Sequence, residues 1–247
     1  MPASQHPVFK QPEDASISIW RYMDFTKFVS MLESSSLFFA RADCLGDPFE
    51  GSYSRGNERL RPILYKDIPS EALSRMASEG AEFTRFLRKW TFVSCWHMNE
   101  GESAAMWKLY AKTNEAVALK TSFFRLVNEL DDKTYVGKVE YIDFDHDWLP
   151  EGNTFYPYVH KRRSFAHERE VRAVIQELPV SDQGIDRTKE PPSGGVERSV
   201  NISTLIEAIH VAPTCPTWFK ETVEKVARRY GLSAPVIQSA LDDEPFF

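Results

Sequence analysis

The sequence predicts an α+β fold with a mixed, mainly antiparallel sheet, and three observations carry that expectation. Strand-like and helix-like segments are interspersed without the strict β-α-β alternation that a doubly wound parallel sheet requires. Hydrophobic residues make up 42% and aromatic residues 13% of 247 positions, ample for a packed core. No internal repeat and no clean boundary divides the chain, so one domain is expected.

Residues 1–15 hold three prolines and no periodicity, and read as a flexible arm ahead of a domain spanning 16–247. Ile17, Ile19 and Arg21 alternate with Ser18, Trp20 and Tyr22 as in a strand. Asp24 suits an N-cap, with Phe25, Phe28, Val29 and Leu32 on one helical face. A strand at 37–41 follows, then a loop at 43–51, bounded by turn residues and pinned by Phe49. Residues 58–90 are mostly helical, with breaks expected at Pro62 and Pro69 and a helix from Ser70. Next come a strand at 91–96, a Ser103-capped helix through Tyr110, a strand at 116–121, a helix at 122–130 and a strand at 135–142. Val171 to Ile175 is β-branched and apolar, hence a strand. The Pro-, Gly- and Ser-rich stretch 179–198 reads as a mobile surface excursion. A strand at 209–212, a helix at 216–230 and a strand at 236–239 complete the chain.

Bulk properties exclude several classes. A net charge of −6 argues against a broad nucleic-acid footprint, although Lys161-Arg162-Arg163 is a local cluster suited to phosphate. The three cysteines are widely spaced and lack zinc or disulfide patterns, so reduced, mostly buried thiols are expected. The apolar runs are too short for a membrane span, and the N-terminus lacks a signal pattern, which predicts a cytoplasmic protein with no membrane partner. P-loop, G-x-G-x-x-G and EF-hand patterns are missing, and the acidic stretch around His146 reads as a solvated loop.

The stretch Glu168-Arg169-Glu170-Val171-Arg172-Ala173 is the most informative. On a strand, Glu168, Glu170 and Arg172 share one face, which makes either a salt-bridged surface or a site. Other polar residues among aromatics favour the site. Asp47 before Pro48 suits a turn cap, which leaves Glu50 as the more chemically interesting acid of the loop. Along 92–97, Phe92, Ser94 and Trp96 face one way, and Val93, Cys95 and His97 the other. Ser94 lacks a G-x-S-x-G elbow and suits positioning instead of attack. His97 at the strand end reads first as a hydrogen-bonded structural residue. Met106, Trp107 and Tyr110 form a helical face that is either core or the lining of a pocket for a flat ring.

Four motifs, Asp47-Pro48-Phe49-Glu50-Gly51, Ser94-Cys95-Trp96-His97, Glu102-Ser103-x-x-Met106-Trp107-x-x-Tyr110-Ala111 and Glu168-x-Glu170-x-Arg172, together resemble a widespread bacterial family of uncharacterised domains. That resemblance covers nearly the whole chain and implies no activity. Arg21 on an early strand, Ser94 on a middle strand and Glu168-x-Glu170 entering a late one also resemble the R, S and E-x-E pattern of ADP-ribosyltransferases, although Cys95-Trp96 stands where Thr-Ser is usual. This second resemblance implies a split sheet and the use of NAD. It gives Glu170 the stabilisation of an oxocarbenium-like ribose, Glu168 the acceptor and Ser94 the support of Glu170. Arg21 would hold phosphates, with Tyr22, Trp96, Trp107 and Tyr110 around the rings and Asp47, Glu50 and His97 in support. Arg172 two residues from Glu170 is suited to keep it ionised.

Two other readings stand beside this one. Asp47, Glu50, Glu168 and Glu170 are enough acids for a magnesium-dependent phosphoesterase or nuclease, with Lys161 or Arg172 neutralising phosphate. A non-catalytic binding module is the third. The expected partners are a small nucleotide and an acceptor, protein or nucleic acid, that the sequence does not identify.

Overall fold

A computed structural model describes residues 2–243 and 245 of the protein. Its element order is β1 (Ser18–Asp24), α1 (Phe25–Ser34), β2 (Ser36–Arg41), α2 (Arg55–Leu64), α3 (Ser70–Lys89), β3 (Thr91–Met98), α4 (Ala104–Tyr110), β4 (Ala116–Ser122), α5 (Phe123–Glu129), β5 (Thr134–Lys138) and β6 (Glu140–Ile142). It continues through α6 (Tyr156–Val159), β7 (His160–Arg162), β8 (Glu170–Gln176), the short pair β9 (Val180–Ser181) and β10 (Gly184–Ile185), and β11 (Gly195–Ser199). The last elements are α7 (Ile202–Leu205), β12 (Ala208–Val211), α8 (Thr217–Arg229) and β13 (Val236–Gln238). Helices combined with a mixed, mainly antiparallel sheet make the fold α+β, as the sequence predicts.

The sheet among the described residues has nine strands, in the order β11-β2-β3-β1-β4-β12-β13, with β8 and β5 attached through β3. β8 lines the whole of β3, from Thr91↔Gln176 to His97↔Glu170. The other edge of β3 is shared. β2 pairs only at Ala40↔Val93 and Arg41↔Phe92, and β1 only at Ile19↔Met98 and Trp20↔His97. Between them, Ser94, Cys95 and Trp96 have a strand neighbour on the β8 side alone. The sheet therefore splits, with β1 and β2 diverging from the middle of β3.

Period-two alternation divides the faces. Ile19, Met23, Leu37, Phe39, Phe92, Trp96, Val171, Ala173 and Ile175 point into the main core, covered by Phe28 and Leu32 of α1 and Phe219 and Val223 of α8. On the opposite face, Trp20 and Tyr22 pack with Met106 and Trp107, and Val93 and Val174 pack with Tyr158 and Val159. The Ser103 hydroxyl caps α4 by accepting from the Met106 amide, as predicted. Asp24 occupies the N-cap position of α1 without capping it; its carboxylate accepts the Lys112 N–H instead.

Several local expectations need correction. Residues 2–11 are no free arm: Phe9 is 3% exposed, and the backbone bonds to Val127, Thr134 and Lys138. Phe9 lies so close over Gly137 that a Cβ there would come within 2.8 Å of it, so apolar burial offsets the missing periodicity. Pro62 falls inside the last turns of α2 and does not break it. The single strand expected at 135–142 divides at Val139, whose N–H turns to the Glu170 carbonyl, and β6 leaves to pair with β7. The excursion at 179–198 contains the β9–β10 pair and delivers β11 to the free edge of β2. Among the described residues, no helix is long and apolar enough to cross a membrane.

The docked N-terminal segment yields the first prediction. Phe9→Ala should destabilise the protein by about 3–5 kcal/mol, the usual cost of truncating a buried phenylalanine. Urea denaturation measures it, and a loss below about 1 kcal/mol would mean that the segment contributes little to the fold.

Candidate functional site

The split opens a cavity of about 530 Å³. β1 contributes Arg21 and Tyr22, β2 contributes Phe38, and β3 contributes Cys95, Trp96 and His97 to its lining. Glu168 and Glu170 lie at one end together with Tyr110 of α4, while Glu197 of β11 also lines it.

The carboxylate end is a buried charge cluster. Arg172, 1% exposed on β8, forms a bidentate pair with Glu50, from Nη2 to Oε1 at 2.7 Å and from Nη1 to Oε2 at 2.8 Å. Its Nε donates to Glu170 Oε2 at 2.5 Å, and Nη1 also donates to the Tyr158 carbonyl at 2.9 Å. Lys161 Nζ sits between the two glutamates, 2.6 Å from Glu170 Oε1 and hydrogen-bonded to Glu168 Oε2. Tyr110 donates to Glu168 Oε1 at 3.2 Å. Glu168 ends a 3₁₀ turn over Arg163–Glu168, so it is not a β8 residue as the alternation suggested. Arg169, at φ 41°, takes the left-handed conformation between the two acids, and this kink brings both carboxylates onto Lys161.

Their protonation behaviour diverges. Burial alone would raise the pKa of Glu170, but Arg172, the neighbouring Glu168 and Lys161 outweigh it and hold the group well below the usual carboxylate range. Glu168 is pushed up to about 7, by desolvation first and then by Glu170, against the pull of Lys161. Three carboxylates thus face two cations, so the cluster is neutral when Glu168 carries a proton and carries one negative charge when it does not. Desolvation pushes the Tyr110 and Tyr141 hydroxyls well up, with the glutamates adding to it, so both stay neutral; the Tyr141 hydroxyl accepts the Glu170 N–H at 2.8 Å.

Arg21 stands on the other face of the sheet. Its Nη2 donates to the Phe38 carbonyl at 2.9 Å, and its guanidinium lies 5.6 Å from the centre of the Trp96 ring. That is its one protein hydrogen bond among the described residues, and no carboxylate pairs with it. Desolvation lowers its pKa to about 10, which still leaves it charged at neutral pH. A desolvated guanidinium without an acid partner is a fitting anchor for an anion.

His97 faces the same way as Glu170, directly across the ladder from it. Its Nδ1 lies 2.7 Å from the Glu168 carbonyl oxygen, which can only accept, so Nδ1 carries the proton. Among the described residues Nε2 is buried without a partner, and desolvation lowers the pKa of the ring, keeping it neutral. His97 is therefore structural through one nitrogen and an unused acceptor through the other.

Other expected residues sit differently. Ser94 lies opposite Ala173, on the core face with Phe92 and Trp96, while Glu170 projects from the other face; it does not support Glu170, and Lys161 and Arg172 take that place. Trp107 is 4% exposed, lies off the cavity lining and donates to Glu102, so it is core. Asp47 accepts the Phe49 N–H at 3.0 Å and pairs with Arg162 at 2.7 Å, the turn-capping role that Asp-Pro suggests. The basic cluster 161–163 is spent on internal acids, Arg163 pairing with Asp147 at 3.6 Å. Of the three free thiols, Cys44 is exposed and Cys95 borders the cavity.

The residues do not fit a magnesium site. Both oxygens of Glu50 face Arg172, both of Glu170 face Lys161 or Arg172, Glu168 is engaged by Lys161 and Tyr110, and Asp47 is turned to Arg162. Among the described residues no three metal-ligating side chains converge. Lysine stands where the expected four-acid site would need its cation.

Sequence reasoning missed Phe38 and gave Lys161 only a phosphate. Phe38 looked like one more apolar strand residue, and only the separation of β1 from β2 leaves it 46% exposed in a cavity. Comparison of the chain with known family models, curated proteins and solved structures finds no match.

Two predictions follow from the charge cluster. A carboxyl that binds its proton more tightly folded than unfolded lends stability at low pH and loses it as pH rises from the ordinary 4.5 through about 7. Wild type should therefore lose stability relative to Glu168→Gln between about pH 5 and 8, measured as the difference in urea midpoints; parallel profiles would contradict the assignment. Arg172→Met leaves two buried carboxylates short of a partner and should cost about 3–5 kcal/mol.

Proposed function

We propose that the cleft binds NAD and breaks the bond between nicotinamide and ribose, as an ADP-ribosyltransferase or NAD glycohydrolase does. The observation that carries this reading is the split itself: one cavity joins a buried pair of unlike carboxylates to a guanidinium with no acid partner among the described residues. The motif resemblance points the same way, with Arg21, Glu168 and Glu170 retained and Ser94 set aside.

The chemistry uses that asymmetry. Nicotinamide departs with the bonding electron pair as a neutral molecule, which leaves positive charge on the ribose C1′ and ring oxygen. Glu170, held ionised, together with the net negative charge of the cluster when Glu168 is ionised, stabilises that charge in a site of low dielectric. An acceptor, water or a side-chain nucleophile, then bonds to C1′ and passes its proton to Glu168, whose pKa of about 7 suits a general base at neutral pH. Arg21 binds the pyrophosphate as a bidentate donor. Tyr110, exposed where it lines the cavity, provides a surface for the nicotinamide ring, while Trp96 is buried in the core behind Arg21. Neutral His97 Nε2 is an acceptor for a ribose hydroxyl.

Incubation with NAD, followed by chromatography of released nicotinamide, tests this reading. Turnover should fall by about 10²-fold or more in Glu170→Gln and in Glu168→Gln. Arg21→Ala should chiefly raise KM, by about tenfold or more, as loss of a charged hydrogen bond does. Absence of nicotinamide release by the folded wild type, with or without protein or nucleic-acid acceptors, would refute it.

A further inference from the structure

Outside the carboxylate end, the cavity has a second distinctive wall. Phe38 of β2 is 46% exposed and lines it, whereas the neighbouring Leu37 and Phe39 are fully buried in the core. An exposed aromatic ring is ordinary on a convex surface, but one lining a cavity offers a flat apolar face to a ligand.

The ring is held there by its neighbour strand. A Cβ on Gly195 would come within 2.6 Å of Phe38 Cζ and 2.2 Å of the Phe39 carbonyl oxygen, so the missing side chain of Gly195 lets the ring lie against the β11 backbone. Directly across the ladder from Phe38 stands Glu197, which also lines the cavity. Glu197 is exposed, and among the described residues no cation pairs with its carboxylate and no side-chain or backbone N–H donates to it. Alternation puts Glu197 and Phe38 on the same face, so a carboxylate acceptor lies beside the aromatic surface. The Phe38 carbonyl is in turn the group that anchors Arg21, so the guanidinium reaches the same cavity at the backbone of this residue, from the core face.

We propose that Phe38 and Glu197 form the subsite for the purine base of the ligand, with the base stacked on Phe38 and its exocyclic amine donating to Glu197. This rests on the NAD reading above and adds to it which end of the cleft takes adenine. A heteroaromatic ring, a hydrogen-bond donor at its edge and a phosphate nearby match, in that order, an aromatic face, a carboxylate and a guanidinium. Neither nicotinamide mononucleotide nor a bare pyrophosphate would use Phe38.

Calorimetric titration with ADP-ribose, and with its counterpart carrying hypoxanthine instead of adenine, tests the assignment. Phe38→Ala should weaken ADP-ribose binding about tenfold, the scale of base–aromatic stacking. Phe38→Leu, which preserves packing on Gly195, should lose nearly as much. Wild type should prefer the adenine ligand by about tenfold, because a carbonyl in place of the amine faces a carboxylate, and Glu197→Ala should abolish that preference. Unchanged ADP-ribose affinity in both Phe38 variants, or a preference that survives Glu197→Ala, overturns the subsite and leaves the NAD reading standing. If folded wild type binds neither ADP-ribose nor NAD, both fail together. Circular dichroism of each variant confirms that lost binding is not lost folding.

Discussion

Five charged side chains buried together, Glu50, Lys161, Glu168, Glu170 and Arg172, set the constraint around which the rest is built. An isolated ion in such a place would be prohibitive, and the cluster is tolerable because every carboxylate meets a cation at close range. The bidentate Arg172–Glu50 pair ties β8 to the loop after β2, and Lys161 ties β7 to both acids. Segments more than a hundred residues apart in sequence are thereby held in one geometry. Three acids against two cations leave the cluster one proton from neutrality, and Glu168, with its pKa raised to about 7, is the acid that takes it up.

The split sheet gives this cluster access to a ligand. A continuous sheet would have covered the middle of β3 with a paired strand. Because β1 and β2 each pair with only two residues of β3, the gap between them becomes a cavity with polar groups from both faces. Arg21 approaches from the core face over Trp96, while the glutamates and His97 come from the opposite face. The left-handed Arg169 lies at the junction, where one non-glycine residue takes a backbone conformation of limited stability and turns Glu168 toward Lys161.

Much of this was legible in the chain. Alternation in 17–22, 91–96 and 171–175 located these strands to within about two residues and sorted the faces inside them, although it carried Glu168 onto β8, because a period of two is a local property. Glu50 stood out as the acid with no capping role, Asp47 as a turn former and Arg172 as a counter-ion, each from its immediate neighbours. What failed were inferences across the fold. Ser94 was given to Glu170, but antiparallel pairing puts Ala173 opposite it and sends the two side chains to opposite faces. Residues 2–11 lacked periodicity because they form an irregular cover with a turn at 6–9 packed over Gly137, not a helix or a sheet strand, and burial of Phe9 compensates for that.

By itself, then, the sequence determined the α+β class, most strand and helix positions and the acids worth watching, since these depend on spacing, capping and turn chemistry within a few residues. The tertiary structure alone decided that Lys161 stands between Glu168 and Glu170, that Phe38 opens into a cavity and that Arg21 has no acid partner among the described residues. The reason is physical: a charge buried on one strand is neutralised by whichever residue the fold brings within about 3 Å, and no local pattern encodes that partner.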